Sequence, residues 1–418
     1  MPGADAARPA ARDAVTLDPS ADRLFDGAPW WLLRNGLREY PDVGEGPWDV
    51  AIVGAGITGA MLADTLTAAG RKVVIVDSRA PATGSTSAST ALLLYELDTS
   101  LVELAQGIGL PEARRVYQLS RDAVVALGEL ASGLPVECGY SARESLYLAA
   151  RRRHVDGLRA EAEARVAAGI PSEFLSAADV AADYGLDAPG ALRSALAAVV
   201  DPVRLARALL DRALARGASI RTRSRVLRVE NDEGGCRVVC AQGHSLLAEQ
   251  VLLATGYESA AATRLGGMLH STFALVTEPG ALPPALARGT VIWESDRPYL
   301  YLRADDAGRV IIGGADLPFR NAPARARRFP ASIRRLERAL RRFHPDYHGP
   351  PAFSWAATFG EMPCGLPVIE RAEGLPRVWR VLGYGGNGIT FAMIATQLLA
   401  AVCLDRPAPD LALFRARR

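Results

Sequence analysis

Six residues carry the sharpest chemical signal in the chain: Gly54-Ala55-Gly56-Ile57-Thr58-Gly59. Glycines at this spacing, after an apolar run and at the start of a helical pattern, make a phosphate cradle. Gly54 permits a tight turn, Gly56 lets backbone approach a pyrophosphate, and Gly59 lets the helix pack closely on its strand. The helix start then offers N–H groups and a positive dipole end to the phosphates. Asp77 ends the next apolar run, where an acid bonds ribose hydroxyls and disfavours the 2′-phosphate of NADP. The motif alone leaves FAD and NAD both open. Soon after comes Gly84-Ser85-Thr86-Ser87-Ala88-Ser89-Thr90, whose small side chains and hydroxyls suit phosphates or a ring. No Ser-His-Asp or metal constellation is present. His154, His244, His270, His344 and His348 are scattered and read as surface or structural residues, with His270 opening the strand HSTFALV.

The cradle needs a strand before it and a helix after it. Asp49–Val53 reads as that strand, Ile57 to about Ala69 as the helix with Gly70 just beyond its end, and Lys72–Val76 as a second strand. Strand–helix–strand in so short a span requires a parallel pair with a right-handed crossover. Helices are expected through about Ala131, over Val155–Ala168 and over Pro202–Arg216. Ile220–Val229 and Cys236–Cys240 read as strands around Glu233-Gly234-Gly235, and Val251–Ala254 as a short buried strand. Tyr299–Arg303 and Arg309–Gly313 form a hairpin pattern, followed by a strand at Val378–Leu382 and a buried helix at Gly388–Leu404.

Length and composition set outer limits. A chain of 418 residues suggests two or three domains or one large interwoven unit. Hydrophobic content of 49% excludes a largely disordered chain, and a net charge of +2 excludes a strong global pull towards nucleic acid or anionic membrane. Five cysteines without a CxxC pair exclude a disulfide scaffold and fit a reduced, cytoplasmic setting. Residues 1–22 read as a mobile tail without an apolar export segment. The basic stretch Arg325–Arg342 places Ile333, Leu336, Leu340 and Phe343 on one stripe, the pattern of a half-buried helix rather than of a nucleic-acid site.

The ordered set DVAIVGAGITGAMLADTL, GSTSASTALL, DPVRLARALLDRALARGASI, VLLATGY, YLYLRADDAGRVIIGGAD, SWAATFGEMPCGLPVIE and GYGGNGIT resembles the flavoproteins of the D-amino acid oxidase superfamily, which includes glycine oxidase and sarcosine oxidase. The likeness runs from about Asp49 to Leu404. It implies an α/β fold, a Rossmann-like FAD-binding domain interleaved with a mixed α+β substrate domain. The expected division is 45–105, 195–262 and 355–418 for FAD, and 106–194 and 263–354 for substrate. The resemblance implies pyrophosphate and ribose contacts at Gly54, Gly56, Ile57, Thr58, Gly59 and Asp77, with Ser78 and Arg79 near the adenosine. It implies that Ser85, Thr86, Ser89, Thr90, Ala91 and Leu92 run along pyrophosphate and flavin, and that Val226 meets the adenine. Ala254, Thr255 and Gly256 then flank the pyrophosphate, and Gly386, Asn387, Gly388, Ile389 and Thr390 approach the flavin pyrimidine edge.

Departures from the family pattern bear on the substrate. Phe359 and Gly386 stand where glycine oxidase-like members carry arginines for the substrate carboxylate, and a buried carboxylate without a partner costs several kcal/mol. Arg303 is a substitute candidate, and Tyr299, Tyr301 and Tyr384 join Phe359 as candidate substrate-facing residues. The lysine that sarcosine oxidase-like members use near the flavin for oxygen corresponds to about Ile311, while Lys72, the only lysine, starts the second Rossmann strand. The electron acceptor is therefore oxygen or another molecule. Cys364 does not align with the covalent attachment cysteine of sarcosine oxidase, so non-covalent FAD is expected. The sequence reading is an FAD enzyme that oxidises a C–N bond of a small-molecule amine, secondary amine or amino acid by hydride transfer to flavin N5. An NAD-dependent dehydrogenase and a flavoprotein subunit without its own turnover are the alternatives.

Overall fold

Two large sheets share the chain, in a computed structural model that describes residues 14–17, 24–41, 44–241, 243–257, 263 and 265–417. At the heart of the first are five parallel strands, in spatial order Val378–Leu382, Ser245–Leu253, Trp48–Val53, Val73–Val76 and Ser219–Arg221. Their continuous apolar runs follow from burial on both faces, which parallel strands with crossover helices require. Val50, Ala51, Ile52 and Val73–Ile75 are accordingly inaccessible to solvent. Helix Ile57–Ala68 lies between this sheet and the helices Pro202–Ala215 and Gly388–Cys403. Asp64 on that helix receives Arg212 at 2.6 Å and Arg216 at 2.8 Å, tying it to its neighbour. Asp201 caps Pro202–Ala215 by accepting the Val203 and Arg204 amides, and Pro202 suits a first turn that needs no N–H.

The second sheet runs Phe25–Gly27, Phe353–Glu361, Met268–Val276, Val310–Pro318, Leu300–Ala304, Val291–Glu294, Ser141–Leu148, Gly190–Val199 and Leu92–Leu94, with Glu173–Ser176 alongside Gly190–Val199. Its pairs are antiparallel except Val291–Glu294 with Ser141–Leu148. Helix Ala322–Phe343 covers one face with Ile333, Leu336, Leu340 and Phe343, while Arg334, Arg335, Arg338, Arg341 and Arg342 face solvent. Arg325 is the exception in that basic stretch: it is buried and pairs with Asp26 at 2.8 Å.

Three expectations change. Within the presumed tail, Ala14–Thr16 is a strand that pairs antiparallel with Val226–Asp232, because that strand's outer edge offers unpaired backbone groups. The rest of residues 1–22, apart from Leu17, lies outside the described residues. Leu92–Leu94 and Phe353–Glu361 sit in the second sheet, although the expected boundaries put 45–105 and nearly all of that last strand with the FAD-binding segments. Ile220–Val229 is not one strand: Arg223 takes φ 54°, and the Ser224 amide turns back to the Asp77 carbonyl at 2.9 Å. The chain therefore leaves the parallel core at Arg221 and re-enters the sheet at Val226.

Candidate functional site

The strand Trp48–Val53 delivers Gly54 to a turn with φ 114°, a conformation that favours glycine. A Cβ on Gly54 would lie 2.4 Å from the Ala254 carbonyl oxygen, and one on Gly59 would lie 1.9 Å from that of Gly54. Packing alone explains these two residues. Gly56 differs: its nearest neighbour would be Thr86 Oγ1 at 3.1 Å, and beyond it the cavity begins. Here a side chain would meet only Thr86 Oγ1 and otherwise extend into the cavity.

That cavity, about 2010 Å³ with its open mouth, runs from the parallel strands to the second sheet. At one end stands Asp77. Its carboxylate accepts the Ala55 and Arg79 amides at 2.7 and 2.8 Å, while burial pushes its pKa up against those two donors. Ser224, Arg225, Val226 and Leu17 complete this end. Ser85–Ala88 makes a single turn along the middle, and Thr86 Oγ1 accepts the Ile57 amide at 3.0 Å. Three donors outside the cavity fix the following backbone. Trp355 Nε1 binds the Ala88 carbonyl at 2.8 Å, Trp31 Nε1 binds that of Ser89 at 2.6 Å, and Arg303 binds that of Ala91 at 2.9 Å. Ala91 is thereby held at φ 57°, unusual for a residue with a side chain.

The other end lies between the helix start at Asn387 and the second sheet. Tyr384 shares a hydrogen bond with Thr58 Oγ1 at 3.0 Å, and Asn387 Nδ2 donates to the Glu96 carbonyl at 2.8 Å. Tyr299, Tyr301, Phe359, Thr272 and Trp293 form the sheet side. Phe359 stacks on His270, with ring centroids 5.2 Å apart. His270 Nε2 lies 2.9 Å from Glu361 Oε1, within ion-pair range but off the hydrogen-bond axis, and this carboxylate raises the histidine's pKa.

The residues expected to meet cofactor line one cavity, with two exceptions. Gly59 sits behind the turn, and Thr390 turns away to donate to the Leu94 carbonyl at 2.8 Å. Among the expected substrate residues, Tyr299, Tyr301, Phe359 and Tyr384 line it and Arg303 does not. Arg303 is 3% exposed, and its Nη1 donates to the carbonyls of Ala91 and Val200. Desolvation lowers its pKa to about 9, and its donors are directed at loop carbonyls rather than at a substrate. Sequence reasoning missed Asp98, Asp316, Trp293, Thr272 and Tyr257 as cavity residues; Asp316 and Tyr257 end two of the quoted motifs, and the other three belong to none.

Asp98 occupies the space a side chain at position 386 would need: a Cβ on Gly386 would lie 2.7 Å from Asp98 Oδ2 and 2.6 Å from the Tyr299 hydroxyl. The Tyr299 hydroxyl donates to Asp98 Oδ1 at 2.7 Å and the Gly386 amide to Oδ2 at 2.8 Å. Glu96, also at the cavity, is fully buried and paired with Arg165 at 3.0 Å. Among the described lining residues the only basic side chains are Arg79 and Arg225, both at the Asp77 end. No lining residue is a cysteine, histidine or lysine, and Cys364 lies outside with its thiol towards the Leu366 carbonyl. Ile311 is buried in the core away from the cavity.

Comparison with known proteins agrees with this geometry. The family model "DAO: FAD dependent oxidoreductase" matches residues 49–402. The tRNA 5-methylaminomethyl-2-thiouridine biosynthesis bifunctional protein MnmC of Thiobacillus denitrificans is 25% identical over 390 residues, covering 89% of this chain but only 59% of that protein. Among solved structures, glycine oxidase from Geobacillus kaustophilus superposes with a TM-score of 0.73 at 21% identity, covering 89% of this chain and 98% of that one. L-proline dehydrogenase from P.horikoshii gives 0.71 at 16% identity, with 89% and 98% coverage. The structural likenesses speak to the fold. The family match, which spans most of the sequence, goes further: the chain belongs to the DAO family of FAD-dependent oxidoreductases.

Proposed function

We propose that FAD lies along the cavity without a covalent bond, its pyrophosphate against Gly56 and the start of helix Ile57–Ala68 and its ribose at Asp77, and that the chain uses it to oxidise the C–N bond of a small amine. The fit rests on the open space at Gly56, on the Asp77 carboxylate at the cavity wall and on the Asn387–Gly388 helix start at the opposite end. Bound FAD supplies a two-electron acceptor for a hydride. The chain's own task is positioning. The aromatic sheet side, Tyr299, Tyr301 and Phe359, holds the amine so that its C–H faces the flavin and excludes water from the reacting carbon. The amine gives up a hydride from carbon and a proton from nitrogen and becomes an imine, and water then adds to release a carbonyl compound and the remaining amine.

One observation carries the substrate class: among the described residues no arginine, lysine or histidine lines the flavin end, where an amino acid's carboxylate would need a cation. The substrate therefore lacks a carboxylate on the reacting carbon. Anaerobic stopped-flow reduction tests this with glycine, D-alanine, sarcosine and N-methylated alkylamines. The N-alkyl amines are expected to bleach the flavin at least tenfold faster than glycine or D-alanine at equal concentration. Rapid reduction by glycine or D-alanine would contradict the reading. The tRNA-modifying role of the MnmC relative suggests a second substrate, an aminomethyl group on a tRNA nucleoside. It would show as reduction by the modified tRNA and by no free amine.

A further inference from the structure

Asp316 enters the cavity through an irregularity in the second sheet. Between Met268–Val276 and Val310–Pro318 the register shifts: Phe273 faces Gly314, but Ser271 faces Leu317. One residue on the first strand thus opposes two on the other, Ala315 and Asp316, which is a β-bulge. Gly314 takes φ 124° and Ala315 φ 57°. Bulges of this kind re-aim a side chain, and here the side chain is a carboxylate that lines the cavity. Asp316 Oδ1 is shut off from solvent and has no hydrogen-bond partner. Thr272, which faces the bulge, has its Oγ1 3.5 Å from the Tyr301 hydroxyl.

The charged groups facing Asp316 are Asp98, Glu361 and His270. Two of the three are acids, and the histidine is matched to Glu361. The Asp98 oxygens are occupied by the Tyr299 hydroxyl and the Gly386 amide, and Glu96 has Arg165. Among the described residues, Asp316 is the acid at this end without a cationic partner of its own. Beside it run contiguous aromatic rings. Tyr147 stacks on Trp293 at 3.7 Å between centroids, Trp293 meets Tyr299 edge-on at 6.3 Å, and Tyr299 lies 5.7 Å from Tyr301. A carboxylate beside electron-rich ring faces is the chemistry that holds an organic ammonium.

We propose that this pocket selects amines that carry a second, cationic nitrogen, bound by Asp316 against Tyr299, Tyr301 and Trp293. The proposal rests on the reading of the cavity as the place of C–N oxidation and names which amine is taken. The second nitrogen stays charged while the first, neutral one reacts, so the substrate is a diamine or longer polyamine without a carboxylate.

The test uses the flavin-loaded protein with 1,4-diaminobutane, its N-methyl derivative, butylamine and N-methylbutylamine. Anaerobic reduction should reach half-maximal rate at a diamine concentration at least tenfold below that of the matching monoamine. In Asp316→Asn the ratio should fall to about one, while an unchanged flavin spectrum shows that the site is intact. Equal half-saturation by diamine and monoamine in the unsubstituted protein would overturn the proposal, as would an Asp316→Asn variant that keeps the preference. If no amine reduces the flavin, C–N oxidation fails, but recognition is still read from the perturbation of the visible flavin spectrum on titration. Saturable perturbation by the diamine that is lost in Asp316→Asn supports the pocket, and no perturbation overturns it.

Discussion

Gly54, Gly56 and Gly59 share a motif but answer to different forces. Gly54→Ala and Gly59→Ala push a Cβ into backbone oxygens, at 2.4 and 1.9 Å, and should destabilise the fold by ~1–3 kcal/mol. Gly56→Val points mainly into the cavity and meets only Thr86 Oγ1, at 3.1 Å, so the protein should lose less stability than either of these variants and purify without flavin. Flavin content set against thermal melting separates the two cases. Asp77 has a double role: its removal leaves the Ala55 and Arg79 amides without their acceptor, so Asp77→Ala should weaken FAD binding by ~1.5–3 kcal/mol and lower the melting temperature as well. Asp316 gives a pH prediction. Burial and the charges of Asp98 and Glu361 raise its pKa from 3.8 to about 6. A carboxyl raised in this way favours the folded state most below its ordinary pKa, and that stability is lost as pH rises through about 6. Asp316→Asn, which resembles the protonated form, should therefore stabilise the flavin-loaded protein by roughly 1–3 kcal/mol at pH 8 and leave it unchanged at pH 4. Parallel melting curves at both pH values would refute this.

At the level of elements, local signals were legible where they were dense. Val378–Leu382 is a strand over the predicted residues, because five consecutive apolar or long side chains lie between turns. Pro202 fixed the start of its helix through the Asp201 cap. The Gly54–Gly59 turn was readable because nearby backbone leaves no room for a side chain at Gly54 or Gly59. What the sequence hid depends on distant partners. Ala14–Thr16 has no strand signature of its own and is ordered by the edge of Val226–Asp232. Asp98 and Asp316 are single acids, and only a loop and a bulge bring them to the same cavity. Arg303 follows strand alternation towards the cavity side, yet its long side chain passes under the loop and binds carbonyls. Arg303→Met should leave those carbonyls unpaired, lower stability by roughly 1–3 kcal/mol and loosen flavin binding, since the strained Ala91 loses its clamp. Thermal melting and flavin titration check both effects, and retention of full FAD affinity would show that the loop holds itself.

Across the whole molecule, the parallel sheet supplies a dinucleotide cleft and the antiparallel sheet supplies a wall, with a cavity spanning the two. The second sheet draws its strands from three separate stretches of sequence, 25–27, 92–199 and 268–361, so the expected division at 195 and 355 cuts through Gly190–Val199 and Phe353–Glu361. No described helix is long and apolar enough to cross a membrane. Because no cysteine or histidine is among the described residues that line the cavity, acid precipitation should leave the yellow colour in the supernatant, and colour in the pellet would indicate a covalent bond. The central claim is that this cavity brings an amine without a carboxylate to FAD. Anaerobic titration of the purified holoprotein with N-methylated amines, followed in the visible flavin band, tests it most directly. The account predicts complete bleaching by such an amine, with glycine and D-alanine far slower. A flavin that dithionite bleaches but that no amine reduces, or that glycine reduces as readily, would contradict it.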